Sequence, residues 1–237
     1  MCRNYRTTMT KGIIFDYGGT IDTNGDHWGK VLWKGYERCG VPVTELQFRE
    51  ERTLGSKSII RPSYTFHKTL EIKLRLEMEH LMTEGYWDVS EEEYTNKHAE
   101  LLELLYREVC DVVAESRRVL GVLKNNHPMA LVSNFYGNIS SVLKEFDLEQ
   151  YFDAVIESAA VGIRKPDSRI FTLGIEALGL PAADVTVIGD SFYKDILPAK
   201  KAGCHAIWIK GMGWTDEKYD DNVPDMIITR LCELLDL

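Results

Sequence analysis

Three features are scarce in this 237-residue sequence, and each scarcity removes a class of function. Paired cysteines come first. Cys2, Cys39, Cys110, Cys204 and Cys232 are odd in number, far apart and never in a C-x-x-C pair. That spacing leaves out a zinc knuckle or a thioredoxin-like site and reads as free thiols in a reducing compartment. Long apolar runs come second: none approaches the ~20 residues of a membrane span. Residues 1–11 are polar and carry no apolar signal core, so a soluble, cytoplasmic chain with no membrane partner is expected. Positive charge comes third, with 28 Lys and Arg against 37 Asp and Glu, a net charge of −9. Backbone binding to nucleic acid rests on clustered cations, so no nucleic-acid partner is expected. A small anionic substrate stays open, because a metal or a few local cations can reverse the field inside a cleft. No internal repeat, low-complexity tract or Gly/Ser linker is present.

What is there falls into two styles. Residues 12–16, 129–133, 153–157, 185–190 and 205–209 are short, near-continuous apolar runs rich in β-branched residues. Parallel strands covered on both faces have this appearance. Helical patterns at 114–126, 138–146, 168–178 and 195–202 alternate with the later runs, with Gly179 and Gly203 as stop signals. Residues 226–228 read as an extra edge strand ahead of a last helix at 230–235. The alternation predicts an α/β fold with a doubly wound, Rossmann-like parallel sheet. The second style fills 24–111, where amphipathic helices are expected over 64–82 and 91–109, the latter opened by a Ser90/Glu93 capping box. An insertion of this length exceeds a βα loop. A core domain of 1–23 and 112–237 carrying a helical cap domain of 24–111 is therefore expected.

In an open α/β sheet, ligands bind beyond the carboxyl ends of the strands. Those ends place Asp16, Ser133, Arg164-Lys165-Pro166 and Asp190 on one edge. Two facing carboxylates repel unless a cation lies between them, and an all-oxygen set favours magnesium. A hydroxyl and a lysine could hold phosphoryl oxygens where charge shifts during transfer. Each residue also has a plain alternative: a helix cap for Ser133, Asp190 or Asp195, and a solvated loop for Lys165.

Together the four segments resemble the four motifs of the haloacid dehalogenase superfamily: Phe15-Asp16-Tyr17-Gly18-Gly19-Thr20, Leu131-Val132-Ser133-Asn134, Lys165-Pro166-Asp167, and Ile188-Gly189-Asp190-Ser191 closing with Asp195. The resemblance implies a Mg2+-dependent hydrolase acting on a small phosphorylated metabolite. Asp16 resembles its nucleophile, which forms an aspartyl-phosphate. Asp190 and the carbonyl of Gly18 resemble the remaining protein ligands of magnesium, beside Asp16. Ser133 and Lys165 resemble the phosphate-binding pair, with Gly19, Thr20 and Asn134 beside them among the substrate-binding candidates. Asp195 resembles the acid that orients a metal-bound water or the lysine. The helical insert resembles a class I cap that closes over the site.

One position departs from the pattern. Phosphatases of this family mostly carry an aspartate two residues after the nucleophile, as leaving-group acid and then as base; here that residue is Gly18. General acid–base help is worth about 10²–10⁴ in rate. Three readings follow: a hydrolase whose proton comes from elsewhere, Asp22 or His27 being nearest; a carbon–phosphorus hydrolase with a Schiff-base lysine in the cap, for which Lys30, Lys34 and Lys57 are available; or a phosphate- and magnesium-binding regulator without turnover. Dehalogenation needs no metal, and the intact Asp190 points away from it. For substrate choice, Trp28, Trp33, Tyr36, Arg52, Arg61, Tyr64, His67 and Lys68 are available to line a cleft, whereas His80 and His98 read as packing residues.

Overall fold

Parallel pairing dominates the architecture. The computed structural model describes residues 10–50, 59–215 and 217–236. Cys2, Arg52 and Lys57 lie outside them. Among the described residues six strands form one sheet, β1 (Gly12–Phe15), β2 (Met129–Ser133), β3 (Ala154–Glu157), β4 (Val185–Gly189), β5 (His205–Ile209) and β6 (Met226–Ile228). Their order is β3-β2-β1-β4-β5-β6, and every neighbouring pair is parallel. The chain steps outward from β1 to β3, then returns to the other side of β1 as β4. Crevices at such reversals are where open α/β sheets bind ligands.

Both faces of the sheet are covered, which explains the unbroken apolar runs. Ile13 and Phe15 join one buried cluster, while Ile14 joins a second with Val132, Val187 and Phe171. Helices α1 (Trp28–Arg38), α2 (Glu45–Glu50), α3 (Phe66–Thr83) and α4 (Glu91–Lys124) lie between β1 and β2. α5 (Ile139–Glu145), α6 (Ser158–Val161), α7 (Arg169–Leu178) and α8 (Leu197–Lys201) connect the later strands. Ser90 Oγ accepts the N–H of Glu93 at 3.2 Å, so the N-cap of α4 forms as the sequence implies. None of these helices is long and apolar enough to cross a membrane.

Three elements differ from the sequence expectation. The helices expected at 91–109 and 114–126 are one, α4, with no break at 111–112. Its buried residues Leu101, Leu105, Val109, Val113, Ser116, Val119 and Leu120 form a single stripe, and no Gly or Pro interrupts residues 91–120. Ser116 Oγ donates to the Ile21 carbonyl at 2.8 Å, tying this helix to the turn after β1. The last helix, expected at 230–235, is a 3-10 helix over Leu231–Asp236. The helix expected from residue 195 begins at Phe192 with one π-turn, Phe192–Ile196, which places Asp195. Single π-turns are frequent at functional sites because they redirect one side chain without ending the helix.

Candidate active site

The strand register brings the first two carboxylates together. Phe15 lies opposite Ile188, and the N–H of Asp16 donates to the Ile188 carbonyl at 3.0 Å. Asp16 and Asp190 therefore leave adjacent strand ends. Asp195 arrives through the π-turn, where Gly189 permits its approach: a Cβ there would stand 2.4 Å from the Asp195 Cβ. Ligand oxygens of Asp16, Asp190 and Asp195 all lie within 4.8 Å of one another.

Lys165 neutralises part of this charge. Its Nζ is 2.8 Å from Asp16 Oδ1 and 2.6 Å from Asp195 Oδ1, and its side chain is 1% exposed. Burial opposes the ammonium, but the charges of Asp16 and Asp195 outweigh it and hold the lysine protonated, above its usual range. Asp195 is raised to about 6, chiefly by burial, with Lys165 pulling the other way. Burial, then Asp195 and Asp16, push Asp190 well above the ordinary carboxylate range. Three carboxylates against one ammonium give a formal negative excess, with Asp16 and Asp195 buried and Asp190 partly so. An all-oxygen cluster with that excess suits a hard divalent cation such as magnesium. Asp195 is the least suited ligand, since Lys165 holds Oδ1 and the Ser191 N–H donates to Oδ2 at 3.0 Å. Asp16, Asp190 and the nearby Gly18 carbonyl remain as the oxygen donors that could hold it.

Several expected phosphate ligands are engaged in holding this cluster. Thr20 Oγ1 donates to Asp190 Oδ1 at 3.2 Å. Gly19 sits at φ +98, and a Cβ on it would meet the Asp190 carboxyl group at 2.3–2.4 Å, so only glycine allows both the turn and the approach. Asn134 exchanges two hydrogen bonds with the Lys165 backbone, Nδ2 to the carbonyl at 3.0 Å and Oδ1 from the N–H at 2.9 Å. Ser133, 2% exposed, lines the cavity directly.

Gly18 is different. Its backbone does not demand glycine, and a Cβ would meet Trp28 Nε1 at an ordinary 3.8 Å. Trp28 Nε1 donates in turn to Asp22 Oδ2 at 3.0 Å, while the Gly19 N–H donates to Asp22 Oδ1 at 2.7 Å. Both Asp22 oxygens are thus occupied by N–H donors, and the side chain braces the turn after β1. Burial nevertheless lifts its pKa to about 7. His27 caps α1 by accepting the Gly29 N–H on Nδ1 at 3.0 Å.

Asp16, Gly18, Asp22, His27, Ser133, Asn134, Lys165 and Asp190 all line one cavity of about 280 Å³. Of the cleft candidates read from the insert, Trp28 lines it. Trp33 and Tyr36 are buried against Phe48, His67 packs edge-on to Tyr106, Lys68 pairs with Glu71, and Arg61 is exposed. Lys30 is bound to Glu45 and Lys34 to the Met212 sulfur. Among the described residues, the insert lysine that lines the cavity is Lys73, beside Phe66 and Leu70, with Tyr136 and Arg164 from the core. Lys73 has no sequence signature, because a lone lysine between Ile72 and Leu74 reads as a solvated position.

The profile of the haloacid dehalogenase-like hydrolases matches residues 10–203. The chain belongs to that family. Among curated hydrolases of this family, mouse haloacid dehalogenase-like hydrolase domain-containing protein 3 is 33% identical over 116 residues, 48% of this chain and 46% of that protein. Glyceraldehyde 3-phosphate phosphatase of Methanocaldococcus jannaschii is 36% identical over 90 residues, 38% of this chain and 39% of that enzyme. The chain spans less than half the length of these curated relatives. Across the whole fold, the crystal structure of a dehalogenase with an intermediate complex superposes with a TM-score of 0.63 at 15% identity, covering 96% of both chains. That superposition establishes the fold, six parallel strands with flanking helices.

Proposed function

We propose that this hydrolase is a Mg2+-dependent phosphatase of a small phosphorylated metabolite, working through an aspartyl-phosphate on Asp16, with the helical insert of 24–111 as its cap. The observation that carries the reading is the convergence of Asp16, Asp190 and Asp195 at the β1/β4 strand ends, with the buried Lys165 paired to Asp16 and Asp195, in a chain of this family. Phosphatase-named relatives support the same chemistry.

In this reading Ser133 and Lys165 hold the phosphoryl oxygens, and Asp195 positions Lys165. Asp16 attacks phosphorus; its Oδ–P bond forms as the ester P–O bond breaks and the leaving oxygen departs with its electron pair. Water then attacks the same phosphorus, phosphate leaves, and the Asp16 carboxylate is regenerated. Magnesium, held by Asp16, Asp190 and the Gly18 carbonyl, would neutralise the phosphoryl charge so that a carboxylate can approach an anion. Gly18 donates no proton, and Asp22 has both oxygens bound. The site therefore favours leaving groups that need little protonation, with turnover attenuated against an enzyme carrying the acid.

Phosphate release from a panel of sugar phosphates, acyl phosphates and p-nitrophenyl phosphate, with magnesium and with chelator, tests the reading. Release that needs magnesium and vanishes in Asp16→Asn supports it. No release from any ester, and none gained in Gly18→Asp, refutes it in favour of a phosphate-binding protein without turnover.

A further inference from the structure

Beside the cavity, α5 is joined to the helical insert by hydrogen bonds that phosphoryl transfer does not use. Asn138, at the start of α5, and Ser141 and Glu145 within it all reach α3 or the chain leading into it. Glu145 accepts the backbone N–H of Phe66 on Oε2 and that of His67 on Oε1, the latter at 3.2 Å. Tyr106 of α4 donates its hydroxyl to the same Oε1 at 3.0 Å. Asn138 Nδ2 donates to the Tyr64 carbonyl and to Thr69 Oγ1, both at 2.8 Å, and Ser141 Oγ donates to the Pro62 carbonyl at 2.7 Å. Phe146, the residue after Glu145, packs its ring 5.4 Å from that of Phe66. A carboxylate in the last turn of a helix is disfavoured by that helix's own dipole and favoured at the start of another. Glu145 therefore serves α3 and not α5.

Asn138, Ser141 and Glu145 do not line the cavity, whereas Phe66, Thr69 and Leu70 of α3 do. Glu145 and Asn138 bond directly to two of these, at the Phe66 N–H and the Thr69 hydroxyl. The segment leading into α5, residues 133–136, lines the same cavity and begins with Ser133 at the end of β2. One stretch of chain thus carries both the serine beside Asp16 and the groups that hold the α3 wall. Misplacing a binding surface by about 1 Å can cost about 10²-fold in rate, even when the change lies far from the chemistry. We infer that Glu145, with Asn138 and Ser141, is a positioning clamp that sets the distance of the α3 wall from Asp16. This side of the cavity is then preformed, and it grips the organic part of the substrate without first closing on it. The inference rests on the phosphatase reading of Asp16 and adds how that site seats its leaving group.

Phenylphosphonate, whose ring is not an ester leaving group, and inorganic phosphate separate the α3 wall from the phosphoryl site. Binding of each is measured by calorimetry with magnesium, and KM and kcat are measured with p-nitrophenyl phosphate. The parent protein is expected to bind phenylphosphonate more tightly than phosphate. In Glu145→Ala that preference should fall about tenfold and KM should rise as much, with kcat changed less than about threefold and phosphate affinity unmoved. Tyr106→Phe removes a single bond to Glu145 and should lower the preference about threefold. Glu145→Gln keeps an oxygen for His67 and Tyr106 but loses the acceptor of the Phe66 N–H, and should fall between the two. Amide hydrogen exchange at Phe66 and His67 should quicken in Glu145→Ala. If Glu145→Ala does not fold, the two milder variants carry the test. Phosphate and phenylphosphonate affinity falling together overturns the clamp. So does a preference unmoved in every folded variant, or a parent protein without one. If no ester is hydrolysed, the phosphatase reading fails and calorimetry still decides: a preference that falls in the variants upholds the clamp, an unmoved one removes it.

Discussion

Replacing Lys165 by methionine removes the one ammonium that touches both Asp16 and Asp195, while keeping the side chain's length. The lysine lies 2.8 and 2.6 Å from the two carboxylates, and both pairs are at most 9% exposed. Exposed ion pairs contribute little, but removing one partner of a buried pair costs about 3–5 kcal/mol, because the other charge is left unpaired. For a domain of this size that is a fall in Tm of roughly 6–20 °C. The pH dependence follows from direction. Asp195 and Asp190 already sit above their unfolded values, and losing the lysine raises them further. Groups with raised native pKa values contribute full stability below the unfolded pKa and lose it as pH rises through the folded one. The deficit of Lys165→Met should therefore be small near pH 5 and complete near pH 8. Magnesium should narrow it, since three uncompensated carboxylates bind a divalent ion more tightly; a hundredfold excess over Kd returns about 2.7 kcal/mol. Urea titrations at pH 5 and pH 8, with and without magnesium, measure all of this. A variant as stable as the parent at pH 8, with no larger response to magnesium, would refute the electrostatic account of the cluster.

Other perturbations probe separate parts of the site. In Gly19→Ala the new methyl would lie 2.3–2.4 Å from the Asp190 carboxyl group at φ +98, so magnesium affinity by calorimetry should fall at least tenfold, with a stability loss of about 1–3 kcal/mol. Gly18→Asp, whose Cβ would meet Trp28 at an ordinary 3.8 Å, should raise phosphate release by about 10²–10⁴, with the largest gain on esters with poor leaving groups; unchanged kcat would mean that proton transfer is supplied elsewhere. Asp22, raised from 3.8 to about 7, should make the parent protein lose up to about 4 kcal/mol as pH rises from 4 to 8. Asp22→Asn, followed by denaturant titration across that range, should flatten this slope even if the lost hydrogen bond lowers stability overall.

Much of this architecture was legible because its signals are local. Unbroken runs such as Ile13-Ile14-Phe15 and Val185–Gly189 report burial on both faces, and that pattern specifies parallel strands without knowledge of their partners. Once the strands are known, the rule that ligands sit at their carboxyl ends points to Asp16, Ser133 and Asp190. Less legible was whatever depends on two distant elements meeting. The stripe of α4 continues through Val109 and Val113, yet the change of style near residue 111 suggested a boundary there. Thr20 and Asn134 carry hydroxyl and amide groups that suit phosphate, but only the packed turn shows them holding Asp190 and Lys165. Lys73 and Tyr136 meet across 63 residues of chain, in a contact that no periodicity encodes. Trp28 beside Gly18 belongs to the same class: neither residue announces that an indole N–H stands next to the missing side chain.

A nucleophilic Asp16 becomes phosphorylated on its carboxylate in every turnover. Rapid acid quench during turnover of an acyl or aryl phosphate with magnesium, followed by peptide mass spectrometry, tests it directly. A phosphoryl adduct is expected on the peptide bearing Asp16, with Gly18 slowing its hydrolysis enough for it to accumulate, and no adduct in Asp16→Asn or without magnesium. Steady phosphate release that persists in Asp16→Asn, or an adduct on any other residue, would contradict it.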